Sequence, residues 1–140
     1  MSDSMDADVG TAVLIFNDQD RLLILERAGA HWAGYWSVPG GWIDRPDTST
    51  ELSVIREAEE EVGLLLGAAT KYTWSTEDNP EIGCRTVTLY HVAHAGTWSG
   101  TPKIMEPPKC SEIRWVYRDA LPAPMFPGSR ELLLGFPAYS

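Results

Sequence analysis

At 140 residues, 44% of them hydrophobic and 22% charged, the chain has the size and composition of one globular domain with a real core, and not of a disordered segment. A net charge of −9 argues against a nucleic-acid polymer as the main partner, because backbone binding needs clustered Lys and Arg that are absent here. The two cysteines, Cys84 and Cys110, lack metal-ligand spacing and are too few for a disulfide scaffold. The opening MSDSMDADVG is acidic with no apolar h-region, and no later apolar run approaches the length of a membrane span. A flexible tail over 1–10 and a single domain over 11–140 are therefore expected, in a soluble, cytoplasmic protein with no membrane partner.

In chain order, Thr11 to Phe16 and Arg21 to Glu26 are apolar runs around Asn17-Asp18-Gln19-Asp20 and read as a β-hairpin. Ala28 to Gly34 is a small-residue loop, and Trp36 to Pro39 a brief strand ending in a proline suited to an edge. Thr48 and Glu51 have the spacing of a capping box, so a helix is expected from Thr48 until Gly63 supplies the stop. Ala69 to Thr76 and Arg85 to Ala93 read as strands joined by a long polar turn across Glu77 to Gly83. Ala95 to Lys109, rich in Gly, Pro, Ser and Thr, is too long for a simple turn and is a candidate functional loop. Ile113 to Tyr117 returns to β alternation, Asp119 to Gly128 is broken by prolines, and Ser129 to Leu134 forms a short terminal helix. Strands around one long helix, with a second helix at the end, give an α/β sandwich with a mixed sheet.

The expected long helix carries four glutamates in five positions, Glu57 and Glu59 to Glu61. Stepping about 100° per residue from Glu57 puts Glu61 near 40° and Glu60 near −60°, so these three share a stripe, while Glu59 lies nearly opposite. Val54, Ile55, Ala58 and Val62 form an adjoining apolar face suited to docking on a sheet. Like charges at these spacings destabilise a helix unless something compensates them. A divalent ion such as Mg²⁺ or Mn²⁺ suits hard carboxylate ligands. Arg56 and Arg45 could supply part of the compensation instead, and a solvated acidic face is the common fate of a Glu run.

Arg56-Glu57-Ala58-Glu59-Glu60-Glu61-Val62-Gly63-Leu64 resembles the second half of the Nudix box at every fixed position, and Gly40-Gly41 resembles its start. The segment GYWSVPGG, Gly34 to Gly41, is similar to the lead into that box, with Val38 where Leu is usual. Two departures stand out. Asp47 occupies a position where the family has Glu, and eight residues rather than seven separate it from Arg56. Further on, MEPPKCSEIRWVYRDALPAPMF resembles a subgroup that contains plant and mammalian nucleotide pyrophosphatases of the MutT-like type, so the resemblance spans about residues 11 to 134.

The resemblance implies a Nudix-type α/β/α sandwich with a mixed β-sheet, and metal-assisted hydrolysis of a phosphoanhydride in a nucleoside diphosphate linked to X. On it, Glu57 and Glu61 are metal ligands, Glu60 an additional ligand or a base, and Gly41 gives its backbone carbonyl. Arg56 orients the glutamates or the loop by pairing with Asp47, and Glu59 is dispensable. A further carboxylate is expected from Glu106 or Glu112, with Glu112 preferred because it lies three residues before the matched Trp115. Six tryptophans exceed what a core of this size needs, so Trp32, Trp42 and Trp74 are substrate-binding candidates, each also open to a reading as core packing. His31, His91 and His94 carry little signal. The implied substrate is a nucleoside triphosphate cleaved to monophosphate and pyrophosphate. The alternatives are ADP-ribose or another nucleotide sugar, to which Pro80 is a positional hint, and a non-catalytic nucleotide-binding domain, motivated by Asp47 and the extra loop residue. Family members are often dimers, which makes a homodimer the expected assembly.

Overall fold

The computed structural model describes residues 7–30, 32–43, 47–79 and 83–135, so His31, Arg45 and Pro80 lie outside the described residues. Strand β1 (Ala7–Ile15) starts inside the stretch expected as a tail. Its side chains are buried on both faces: Val13 and Ile15 enter one core, while Ala12 and Leu14 enter a second. A strand covered on both sides needs a continuous apolar run rather than alternation, and TAVLIF supplies it.

Strand β2 (Leu22–Arg27) follows the same logic, with Leu23 and Leu25 in the first core and Leu22 and Ile24 in the second. The expected hairpin between β1 and β2 forms only at its tip. Asn17 N–H donates to the Arg21 carbonyl at 3.0 Å, the Asn17 side chain accepts from Arg21 N–H at 2.9 Å, and Phe16 bridges Leu22. Beyond that bridge the strands part into different sheets. No ladder is lost, because both edges of each strand find other partners.

In the first sheet the order is β4 (Gly40–Trp42), β1, β7 (Cys84–Ala93) and β6 (Thr70–Asn79), with β1 parallel to β7 and the other pairs antiparallel. In the second, β2 lies between β3 (Trp36–Ser37) and β9 (Cys110–Val116), both antiparallel. The double glycine is thus part of a strand. A small pairing of β5 (Leu65–Leu66) with β8 (Trp98–Ser99) gives structure to the loop expected over 95–109, and β9 starts at Cys110 rather than Ile113.

Helix α1 (Thr50–Val62) packs Val54, Ala58 and Val62 into the first core. Its N-cap is Ser49, not Thr48. The Ser49 hydroxyl accepts from Leu52 N–H at 3.1 Å, and the reciprocal bond of a capping box is missing because Leu52 stands where the acid would. Gly63 ends the helix in the left-handed region, as its sequence position predicts. Helix α2 (Ser129–Leu134) buries Leu133 in the second core. Helices on opposite sides of the strand layers make the α/β/α sandwich with a mixed sheet that the sequence implies. Among the described residues no helix is long and apolar enough to cross a membrane.

Gly40 is required by this packing. A Cβ there would collide with the Thr11 carbonyl and come within 2.9 Å of Ala12 Cα, both backbone atoms that cannot swing away. Gly40→Ala should therefore cost about 2 kcal/mol or more in urea unfolding. Gly10→Ala, whose added carbon would stand 3.4 Å from its nearest neighbour, should cost far less. Equal midpoints for the two variants would refute the close approach.

Candidate active site

Two polar contacts fix the rotation of α1. Ser53 Oγ lies 2.9 Å from Thr11 Oγ1 on β1, and Thr50 Oγ1 lies 2.9 Å from His91 Nε2 on β7. With Ser53, Val54 and Ala58 turned to the sheet, Glu57 and Glu61 fall against the glycine strand β4. The Glu57 carboxylate lies so close to Gly41 that a Cβ there would come within 2.6 Å of it. Gly40 N–H donates to Glu61 Oε1 at 2.8 Å. Glycine is needed at Gly41 because a carboxylate occupies the space a side chain would fill.

Arg56 braces the assembly from outside. Its Nε and Nη2 donate to Asp47 Oδ1 and Oδ2 at 3.1 and 2.9 Å, Nη1 reaches Glu57 Oε1 at 2.9 Å and Glu60 Oε2 at 3.1 Å, and Nη2 reaches the Trp42 carbonyl at 3.4 Å. One guanidinium thus ties the loop before the helix, the glycine strand and two helix carboxylates together. The Asp47 hydrogen bond first, then the charges of Glu57 and Asp47, hold the guanidinium well above its usual pKa. Asp47 reaches Arg56 despite its shorter side chain.

The glutamates separate by environment. Burial, reinforced by the charges of Glu57 and Glu106, pushes the Glu61 carboxyl up to about 8, against the Gly40 N–H and Arg27, which favour the ionised form. Burial also raises Glu57, with Glu60 and Glu106 adding to it and Arg56 opposing it. Glu60 is different: its side chain is 52% exposed and held by Arg56, outside the cavity that Glu57 and Glu61 line. The shared stripe on the helical wheel thus divides into an inner pair and an outer member. Glu59 is exposed, as expected.

That cavity holds about 580 Å³. Besides the carboxylate pair, Gly40 and Gly41, it is lined by Arg27, Lys109, Trp32 and Trp42. Of the two further candidates, Glu106 lines the cavity and Glu112 does not. Glu112 sits on β9 and is engaged by Arg114 at 2.9 Å, away from the cavity. The loop before β9 carries Glu106 inward because Lys103 N–H and Met105 N–H donate to the Val62 and Glu61 carbonyls at 3.0 and 3.2 Å, satisfying the last turn of α1. Lys109 Nζ lies 3.5 Å from Glu106 Oε2.

Trp32, with φ 56°, packs edge-on against Tyr35 and Phe126 at 5.0 and 5.6 Å. Trp42 is 49% exposed, and its ring rests over Gly10. Trp74 is 64% exposed and lies outside the cavity. It pairs with Leu89 on β7, whereas the cavity face of β7 carries Thr86, Thr88 and Tyr90. Parity puts Trp74 on the other side of the sheet. Sequence reasoning missed Arg27, Lys109 and this polar face, although the alternation of Thr86, Thr88 and Tyr90 was a readable sign of the last.

Glu57, Glu61, Glu106 and the carbonyl of Gly41 offer only hard oxygen donors, and burial raises the Glu57 and Glu61 carboxyls in spite of Arg56 and Arg27. Mg²⁺ or Mn²⁺ fits that donor set and would relieve the repulsion. Among the described residues no group of three acidic, His or Cys side chains is already drawn together into a metal cage.

A family model described as the NUDIX domain matches residues 7–136. No curated protein matches the chain. Among solved structures, a MutT NUDIX hydrolase from Burkholderia pseudomallei is 33% identical, covers 92% of this chain and 97% of its own, and superimposes with a TM-score of 0.83. The ORF135 protein of E. coli is 25% identical over 96% of this chain and 91% of its own, with a TM-score of 0.71. The NUDIX domain of Shewanella oneidensis NrtR, complexed with ADP ribose, shares the fold at 20% identity and a TM-score of 0.73, covering 95% of this chain and 86% of that one. With nearly the whole chain matched and the box glutamates gathered on the glycine strand, the chain belongs to the NUDIX family as a MutT-like Nudix pyrophosphohydrolase, a class acting on nucleoside diphosphates linked to a further group.

Proposed function

We propose that the chain hydrolyses a nucleoside triphosphate to the monophosphate and pyrophosphate, using Mg²⁺ or Mn²⁺. The observation that carries this reading is the inward pair Glu57 and Glu61 against Gly41, in a cavity of about 580 Å³, a size that takes a nucleotide. A bound divalent cation would supply charge neutralisation on the phosphoanhydride and a water acidic enough to attack at neutral pH. Glu57, Glu61 and the Gly41 carbonyl would hold it, with Glu106 as the further carboxylate.

The chain's own residues account for the rest. Water adds to the phosphorus nearest the sugar, the anhydride bond breaks toward pyrophosphate, and the proton lost by the water passes to a cavity carboxylate. Arg27 and Lys109 stand where phosphate oxygens need cations, and Arg56 positions Glu57 rather than touching substrate. Trp42 and Trp32 offer flat faces to the base. The ion pair of Asp47 with Arg56 supports an active rather than a purely binding domain, since it preserves the brace that the altered loop puts in question.

Hydrolysis of a panel of nucleoside triphosphates, ADP-ribose and dinucleoside polyphosphates, with products resolved by anion exchange, tests the reading. Monophosphate and pyrophosphate from a triphosphate are expected, and activity should vanish with a chelator. Turnover of ADP-ribose alone would move the assignment to a nucleotide-sugar pyrophosphatase. Nucleotide binding without turnover would leave a binding domain.

The inner and outer carboxylates should separate in kcat. Glu61→Gln should lose about 100-fold or more of the metal-dependent rate, in line with removal of a group that acts on the transition state. Glu106→Gln should cost more than Glu112→Gln, and Glu59→Gln should change the rate less than about twofold on the same scale. Equal losses for Glu61→Gln and Glu59→Gln would reject the helix-face assignment.

Stability should also depend on pH through Glu61. In the folded chain this carboxyl holds its proton up to about pH 8, whereas an unfolded Glu ionises near about 4.3. Folding therefore takes up a proton between those values, so this contribution is complete below the lower one and is lost as pH rises toward the upper. The melting temperature of metal-free wild type, relative to Glu61→Gln, should fall across that window. Added Mg²⁺ should recover more at its upper end than at its lower end. A difference that grows with pH would have the wrong sign.

A further inference from the structure

Strand β6 forms one edge of the first sheet with ten residues, and among the described residues no strand lies beyond it. Such an edge offers a row of backbone N–H and C=O groups to another chain, so folds commonly shorten it or interrupt it. β6 is interrupted only near its start, where the register against β7 shifts between Lys71 and Thr73. From Thr73 to Asn79 the pairing is regular, and Thr73, Trp74 and Thr76 are residue types that favour strands. The shift also fixes which side chains share a face. Lys71, Trp74, Thr76 and Asp78 pair with His91, Leu89, Val87 and Arg85 of β7, on the face turned away from the cavity, and all four are exposed. Helix α1 covers only part of that face: Thr50 meets His91 and Ser53 meets Thr11, whereas Val9, opposite Val87, is exposed. Counted along β7, Trp74 and Thr76 lie one position either side of the Ser75 and Thr88 pair, and Lys71 and Asp78 lie three positions either side. The strand is thus symmetric about Ser75, with a cation and a carboxylate at matching distances from its centre.

We propose that β6 is an interface for a second copy of this chain, paired antiparallel about a two-fold axis at Ser75, so that the first sheet runs on into that of its partner. In this register Trp74 lies opposite the partner subunit's Thr76 and Lys71 opposite the partner subunit's Asp78, and the symmetry repeats both pairs. A copy slid by one residue would set the two outer faces on opposite sides, and one slid by two would lose the charge match. Asp78 is already held on this face by Arg85, whose Nε donates to it at 3.1 Å. Copies of a chain with net charge −9 repel one another in most orientations, so paired opposite charges specify this one. An interface built on one strand pair is small, and the dimer dissociates at concentrations on the order of ten micromolar. Nothing in this pairing depends on the nucleotide reading, since the cavity opens on the other face.

Sedimentation of the full chain from about 1 to about 200 µM tests it, and a monomer–dimer equilibrium is expected. Lys71→Glu sets like charges opposite each other twice and should weaken the dimer at least about tenfold. Lys71→Glu combined with Asp78→Lys exchanges the two signs and should return the dissociation constant to within about threefold of wild type. Ser75→Cys, whose side chains meet across the axis, should oxidise to a covalent dimer where wild type does not. Melting temperatures at high dilution show whether each variant is folded. Where the double variant melts early because it loses the Arg85 pair, the Ser75→Cys crosslink decides. A monomer across the whole range, assemblies larger than a dimer, or a dimer indifferent to Lys71→Glu overturns the proposal. So does a folded double variant that stays as weak as Lys71→Glu alone.

Discussion

The close approach of helix α1 to the glycine strand β4 governs the rest of the molecule. Gly41 lacks a side chain where the Glu57 carboxylate lies, and Gly40 gives its N–H to Glu61. A strand with ordinary side chains would push the helix away and swing both carboxylates into water. Held where they are, Glu57 and Glu61 are desolvated and near like charges, which is why both resist ionisation. The fold stores an unfavourable electrostatic arrangement that hydrophobic burial of Val54, Ala58 and Val62 keeps in place. Sites that act on charged substrates are commonly built this way.

The cavity exists because β1 and β2 separate after one bridge. Had they continued as a hairpin, their apolar runs would have lain in one sheet with a single core. Instead each strand is buried on both faces, and the space between their sheets opens toward β4 and the loop after β2. The same separation places Arg27, at the end of β2, within electrostatic reach of Glu61. One topological choice therefore sets both the hydrophobic layers and the charge pattern of the site.

Much of this was legible in the sequence, but unevenly. The helix limits follow from local spacing, whereas singling out Glu57 and Glu61 and pairing Arg56 with Asp47 rest on the resemblance to the Nudix box. The capping shift from Thr48 to Ser49 is a one-residue error where several hydroxyls compete for one cap. That Glu106 and not Glu112 reaches the cavity was not readable, because the loop that carries Glu106 inward is pinned by carbonyls of α1 more than forty residues away in sequence. Trp74 lies outside the cavity for a simpler reason: parity along β6 decides which face a side chain meets, and register is set by the partner strand. Glu60 shows the limit of a helical wheel, which gives angles but not neighbours. It shares the stripe, yet Arg56 draws it out to the surface.

The chain carries a net charge of −9 and lines both ends of its cavity with acids, Glu57, Glu61 and Glu106 at one end and Asp8 at the other, with Glu77 behind it. A polyanionic ligand entering such a cavity meets repulsion at the end where its phosphates must sit, and Arg27 and Lys109 offset only part of it. On the proposed reading, a divalent cation at the helix glutamates reverses the field at that end alone. The far end stays negative, so the two ends become opposite in sign only when the site is loaded. A nucleotide then has one favourable orientation, phosphates toward the cation and the base toward the far end. A single metal-binding event would thereby set affinity and direction of entry together, without any movement of the fold.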